Sequence, residues 1–563
     1  QPQLETFKEN SLTSRSAVSV TPAGFEEPVF GTVWVAARVA TDRAAGVVTC
    51  EKAFVKQVRL PGASDEQVKK LTEILKTEVP RKGLSISLDR VLAMLDLAKT
   101  EEAVKSEIAA SPPRIIPVTH PAVLVCLDGE PAFSRIENSK LLRVVNTPYT
   151  IVMDPGTAKF YLRAPWGWLR ASDYRGPWEK VESIPDSVAA IAPSPAGGEA
   201  KSGADPEIIV ATEPTELVVI EGEPELGFVE GTDLYYLLNS KSDVFVDSSN
   251  HLYILLSGRW FTASDKRGPW SHVPSDQLPE SFKAIPKTFE RPHVLACISG
   301  REEAHFARLD TFVPETAAIK RKAASVTPLY VGEPEFTPIE GTALSYAANS
   351  PHDILKIDER YYCCYDGVWF ESDAPKGPMA VSGSVPPAVY SLPPNCPLYH
   401  VKFVHVYDAT DEIAYVGYTP GYIGCYTLGN TIVHGTGYEP QPVGSSSAIP
   451  RPHTYGFSCA YDPSAGKWGF RAPSYGGVEW FASSAGEKRE VLPLSGLSFT
   501  WWGPAGYSLF GAAGSQSGQA PQLTEGSSVS SDPIYQRHPD WLARESWGRK
   551  LARRQESLPP TPT

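Results

Sequence analysis

The alternation of apolar and polar positions is clearest over residues 234–264, where "LYYLLN", "DVFVD", "HLYILL" and "RWFTAS" are four short runs separated by "SKS", "SSN" and "SG". Runs of this length, rich in Leu, Val, Tyr and Phe and bounded by turn residues, are strand signals, and a two-residue connection such as Ser257-Gly258 closes a hairpin. The window therefore predicts a four-stranded antiparallel meander. In its last strand Trp260, Thr262 and Ser264 share one face, and Phe261 and Ala263 share the other. The pattern occurs three times. The Gly of a G-E-P triplet falls at Gly129, Gly222 and Gly332, and the Gly before a later Pro at Gly176, Gly268 and Gly377, giving intervals of 47, 46 and 45 residues. Such agreement marks a duplicated supersecondary unit. In the third copy Asp366-Gly367 replaces Ser257-Gly258, a favoured type I′ pair. Its later Asp is shifted by one residue and its Gly-Pro runs into Met379, so a different turn is expected there.

Around the repeats the pattern changes. Residues 1–27 read as an N-terminal arm and residues 28–111 as a small α/β domain. Two strands, "FGTVWVAARV" and "GVVTCEKAFVKQVRL", precede a helix that Ser64 and Gln67 would cap and Pro80 would stop, and a second helix is expected to begin near Ser87. Repeat 1 spans 112–192, a linker 193–206, repeat 2 207–286, a helical insert 287–325 with Ser299 and Glu302 as a capping box, and repeat 3 326–394. Residues 395–510 form a Tyr/Gly-rich β region in which Gly476–Val491 echoes the repeat as a degenerate fourth copy, and 511–563 are a linker and basic tail. The fold class expected is mainly β, with repeated four-stranded antiparallel meanders as propeller-like blades or as beads on a string.

Composition adds limits. With 563 residues, 52 Pro and 44 Gly, the chain holds several domains and favours turns over long helices. A net charge of −13 disfavours nucleic acid as a partner. No apolar run of transmembrane length is present, and because residue 1 is Gln, the chain is expected to be a processed product that lost a secretory signal. Its expected location is therefore exported, in the periplasm or at the cell surface. Eight cysteines without a C-x-x-C pair leave disulfide connectivity open and disfavour zinc. No cofactor fingerprint occurs, and no cofactor or metal is expected.

From about Gly31 to Arg471 the chain resembles a group of uncharacterised exported bacterial repeat proteins whose units read G-[RV]-W-[FY] followed by G-P-W, some of them labelled carbohydrate-binding family V/XII. The matching residues are Gly258-Arg259-Trp260-Phe261 with Gly268-Pro269-Trp270, and Gly367-Val368-Trp369-Phe370 with Gly377-Pro378. The resemblance implies polysaccharide, or protein subunits of an envelope or surface assembly, as partners. Candidate ligand-binding residues are Trp168, Trp260 and Trp369, as sugar platforms or, since every copy has one, as core, together with Trp166 at a hairpin tip.

The repeated carboxylates Glu130, Glu223 and Glu333, with Asp173, Asp265 and Asp373, could form glycosidase-like pairs but are more simply turn residues. His400 and His405 are expected on opposite faces of a strand, and His434 and His453 lie near Cys425 and Cys459 in the sequence. In the tail, Trp541, Trp547, Arg553 and Arg554 are expected to dock on an acidic surface of a neighbouring subunit or partner. The function expected is a non-enzymatic structural or binding component of the bacterial cell envelope. The alternative is a glycan-active propeller-type hydrolase.

Overall fold

Each repeat forms one antiparallel sheet in the computed structural model, which describes most of residues 3–91, residues 108–191 and 206–437 apart from a few positions, two short strands within 458–471, and residues 534–543. The protein is mainly β, 44% strand and 14% helix, and its small antiparallel sheets are arranged in a ring, a four-blade propeller-like arrangement. In repeat 2 the hairpin closes as the alternation predicts: Leu252 pairs with Ala263 and Leu256 with Arg259, across Ser257 and Gly258 at φ of 49° and 79°. The expected four strands are flanked by two more, Leu226–Phe228 and Ser271–Val273, so the sheet has six. Repeat 1 also has six, and repeat 3 has seven because Ser325–Val326 joins Met379–Val381. Two- and three-residue strands are too short to show a period of two in the sequence. The degenerate copy at Gly476–Val491 lies outside the described residues.

The repeated polar residues act locally, and they act alike. Asn146, Asn239 and Asn349 each accept a hydrogen bond from a backbone N–H just after G-E-P (Ala132, Glu225, Glu335) and donate to the Glu carbonyl of that triplet (Glu130, Glu223, Glu333). The hydroxyl after Asn reaches the strand that enters the repeat: Thr147 donates to the Cys126 carbonyl and Ser240 to that of Val219. At the later turn Asp173 and Asp265 accept from Arg175 N–H and Arg267 N–H, and Gly176-Pro177 and Gly268-Pro269 are cis. The third turn differs, as its shifted Asp implied: Ser372 Oγ accepts from Ala374 N–H, and Asp373 pairs with Arg360.

Each repeat is followed by a single helical turn with the pattern P-x-x-[VF]-x-x-[IL], which the strand alternation does not signal. Val188, Phe282 and Val389, all fully buried, occupy its centre, and their N–H groups bond back to Pro185, Pro279 and Pro386. After repeats 2 and 3 a further segment closes the cap. His293 Nε2 lies 2.7 Å from Asp243 Oδ2 and His400 Nε2 lies 3.0 Å from Asp353 Oδ2, and four residues later the Cys297 and Val404 carbonyls accept the indole N–H of Trp260 and Trp369.

Repeats 1 and 2 are not beads joined only through residues 193–206. Arg114–Val118 pairs in parallel with Thr215–Val219, and Ala122–Cys126 pairs in parallel with Glu207–Ala211. The two entry segments exchange strands reciprocally, and their apolar faces merge with the cores of both repeats.

The N-terminal part keeps its two long expected strands, Val29–Asp42 and Val47–Arg59, and its helix, Asp65–Glu78. The arm at 1–27 is itself β: Gln3–Lys8 and Ser11–Val20 extend the same sheet. Ser85–Ser87 is its fifth strand, paired with Val47–Thr49, and the helix expected near Ser87 follows it directly, with Leu88 and Val91 helical and packed on the sheet's core; residues 92–107 and Ser64 lie outside the described residues. A bidentate pair from Arg59 to the buried Asp310 fastens this sheet to the helical insert. There the expected Ser299 and Glu302 capping box does not form. The helix Glu302–Asp310 has Arg301 as its N-cap without a side-chain cap, and the Arg301 guanidinium, bonded to Glu303 and to the Lys283 and Ile285 carbonyls, holds the backbone extended.

The Ser257-Gly258 tip is buried against the Tyr/Gly-rich region. A Cβ on Gly258 would collide with the Ile432 carbonyl oxygen and come within 2.8 Å of Val433 Cα. Beside it Arg259, 1% exposed, donates to the carbonyls of Ala109, Ser257, His434 and Gly435. Arg259→Met should therefore strand several buried carbonyls and cost about 3 kcal/mol or more. Gly258→Ala combines positive φ with a backbone clash and should cost about as much. Denaturant melts of both variants check this, and a loss below about 1 kcal/mol in either would be incompatible with the packing described.

Candidate functional site

The candidate platforms Trp168, Trp260 and Trp369 are buried, at 3%, 1% and 0% exposure. A sugar ring needs a solvent-facing indole, so these positions are corrected from platform to core. Trp260 packs edge-on against Phe282 at 5.0 Å and close to Phe245, which places the repeat's own cap over the ring face. Trp166 lies outside the described residues. Trp168 differs from its two counterparts, because among the described residues its Nε1 has no hydrogen-bond partner. Trp260→Phe should consequently destabilise by about 1 kcal/mol more than Trp168→Phe, since only the former leaves a buried carbonyl without its donor. Equal losses in thermal or denaturant melts would contradict the assignment.

The repeated carboxylates join turns. Glu130 accepts from Tyr174 Oη and Arg175, and Glu333 from Lys376, so in repeats 1 and 3 the G-E-P turn is tied to the Gly-Pro turn about 45 residues later. Burial, with the Glu130 hydrogen bond second, pushes Tyr174 up to about 12, which keeps it a donor. His400 is not on a strand but on the helical turn Tyr399–Phe403, where it stacks on Tyr422 as well as meeting Asp353. Cys425 and His434 do come together, Sγ to Nδ1 at 3.3 Å across a hairpin. His453 and the side chain of Cys459 are outside the described residues. Among the described residues no group of three or more His, Cys, Asp or Glu could hold a metal, and no helix is long and apolar enough to cross a membrane. The seven described cysteines are thiols, and burial pushes Cys297 up to about 12.

The described part of the tail docks on its own chain instead of a neighbour. Ile534, Tyr535 and Trp541 are buried. Tyr535 Oη donates to the Gly367 carbonyl, His538 Nε2 lies 2.8 Å from Asp366 Oδ2, and the His538 and Trp541 rings stack at 3.8 Å. Lys320 N–H donates to the Trp541 carbonyl and Ala543 N–H to that of Ala318, so the segment covers the open edge of Glu315–Lys320. An uncovered strand edge and the apolar side of this segment satisfy one another. Trp547, Arg553 and Arg554 lie outside the described residues. Trp541→Ala in the full chain should cost about 3 kcal/mol and Tyr535→Phe about 1. Unchanged melts for Trp541→Ala would contradict docking in cis.

Among the described residues, four exposed large apolar side chains lie together at the outer edge of repeat 2. Leu226 and Phe228 on its edge strand, with Tyr235 and Leu238, are 43–58% exposed, and Phe228 meets Tyr235 edge-on at 5.5 Å. Exposed Glu221, Glu223, Glu225, Glu230 and Asp233 surround them, and no Lys, Arg or His occurs from residue 202 to 240. Hydrogen bonds from Ser281 and Ser248 hold the Asp233 carboxyl below its usual range. The corresponding edge in repeat 1 carries Arg135, Lys140 and Arg143, and in repeat 3 Lys376 meets Glu333. Alternation alone does not reveal this site; the missed signal is the uninterrupted acidic and aromatic composition. The chain matches no family model, no curated protein and no solved structure.

Proposed function

We propose that this protein is a non-enzymatic binding or assembly component that holds a protein partner on the acidic, aromatic edge of repeat 2. The observation that carries the reading is the exposed edge strand Leu226–Phe228 with its neighbouring Tyr235 and Leu238 inside a rim of carboxylates. An unpaired strand edge bearing large apolar side chains is a pairing surface, and its charge selects a basic partner. The tail sequence "RESWGRKLARR", with Trp547, Arg553 and Arg554, has that chemistry, so a second copy of this chain is the partner proposed. The burial of the repeated Trp residues and the use of the repeated carboxylates in turns support binding over glycan hydrolysis, and support protein over polysaccharide. The likeness of the G-R-W-F and G-P-W strings to exported bacterial repeat proteins supports a place in the cell envelope.

A labelled peptide of residues 540–556 should bind the chain truncated after Ala543, more weakly as salt rises. Phe228→Lys with Tyr235→Lys should weaken it at least tenfold while leaving the melt of the protein nearly unchanged, and the same pair should reduce self-association of the full chain by sizing and native mass. Peptide binding that is absent at low salt, or unaffected by the two substitutions, would overturn the reading.

A further inference from the structure

A partly open cleft lies where the N-terminal sheet, the end of the helical insert and the Tyr/Gly-rich region meet, far from the edge of repeat 2 in sequence and built from other elements. Its lining includes Arg15 from the second strand, Phe312 from the insert, and Tyr399, Lys402, His405 and Tyr426. The chain as a whole is acidic, yet among the described residues that line this cleft none is Asp or Glu, while Arg15, Lys402 and His405 are among them. Lys402 is 4% exposed, with its ammonium 4.8 Å from the centre of the Tyr399 ring, and the Arg15 guanidinium lies 4.2 Å over Phe312 and 3.5 Å from Glu5. Aromatic walls lower the local dielectric and strengthen the field of cations held against them.

A second, independent feature is Tyr426. Its side chain is buried at 3% exposure, and its hydroxyl has no hydrogen-bond partner among the described residues. A buried hydroxyl without a partner costs roughly 1–3 kcal/mol, so a site that supplies an acceptor recovers that cost. The room open to the centre of a water-sized sphere is about 50 Å³, several times the roughly 10–15 Å³ that one water needs. The cleft thus admits a group of a few heavy atoms. Gly421 permits this shape, because a Cβ there would collide with the Phe403 ring.

We propose that the cleft binds a small oxyanion, a carboxylate or a phosphate group, with Lys402 and Arg15 supplying the charge and Tyr426 Oη donating a hydrogen bond. This goes beyond the assembly role and does not rest on it. The test is calorimetric titration of the full chain with inorganic phosphate and, separately, with acetate, each against chloride at matched ionic strength. Saturable binding of at least one anion is expected, and the arm that responds identifies the source. Lys402→Met should weaken it at least tenfold, Arg15→Gln and Tyr426→Phe each about fivefold, and Lys402→Arg should restore part of the loss. Should Lys402→Met fail to fold, Arg15→Gln and the near-isosteric Tyr426→Phe decide the matter. Absence of saturable binding for both anions, or binding that these two substitutions leave intact, would overturn the proposal.

Discussion

One buried guanidinium ties together three segments that are distant in the chain. Arg259 donates to carbonyls from three places in the chain: Ala109 just ahead of the first repeat, Ser257 in the hairpin of the second, and His434 with Gly435 in the region after the third. A fixed fork of donors suits several carbonyls at once in a way that a flexible ammonium does not. The neighbouring Gly258 lets two backbones touch, so charge and close approach operate at the same point. The equivalent tip in repeat 3 solves the same problem without an arginine: Gly367 N–H donates to Tyr422 Oη, and its carbonyl accepts from Tyr535.

Duplication has produced units that are alike inside and different at their margins. The Asn clamp on G-E-P is the same three times, because a turn followed by a strand needs the same donors and acceptors wherever it stands. The His-Asp cap with its indole-accepting carbonyl occurs only after repeats 2 and 3 among the described residues. Repeat 1 is instead joined to repeat 2 by exchanged parallel strands, which bury apolar faces that an isolated blade would expose.

The same division separates framework from surface. Residues shared by every repeat, such as Trp168, Trp260 and Trp369, are in cores, whereas the exposed edge of repeat 2 is set apart by its acids; repeat 1 exposes Phe133 at the position of Leu226, but beside Arg135. A stretch that differs from its sister copies in charge rather than in hydrophobic pattern marks where the molecule presents chemistry to its surroundings. Among the described residues its acids can stay solvated, while Leu226 and Phe228 remain available to a partner.

Local information was enough for the repeat itself. Alternation, the Ser257-Gly258 and Asp366-Gly367 pairs and the equal spacing of glycines determined the hairpins, their register and the number of full copies, because these depend on contacts between near neighbours in the chain. The shifted Asp373 was likewise sufficient to set the third turn apart. Tertiary structure decided the rest. It placed the repeated indoles in cores, brought Arg259 to carbonyls 150 and 175 residues away, wove the entry strands of repeats 1 and 2 together, laid Trp541 on its own chain, and assembled a cationic cleft from Arg15 and Lys402. Long-range burial and hydrogen-bond satisfaction set these outcomes, and neither has a period in the sequence from which it can be read.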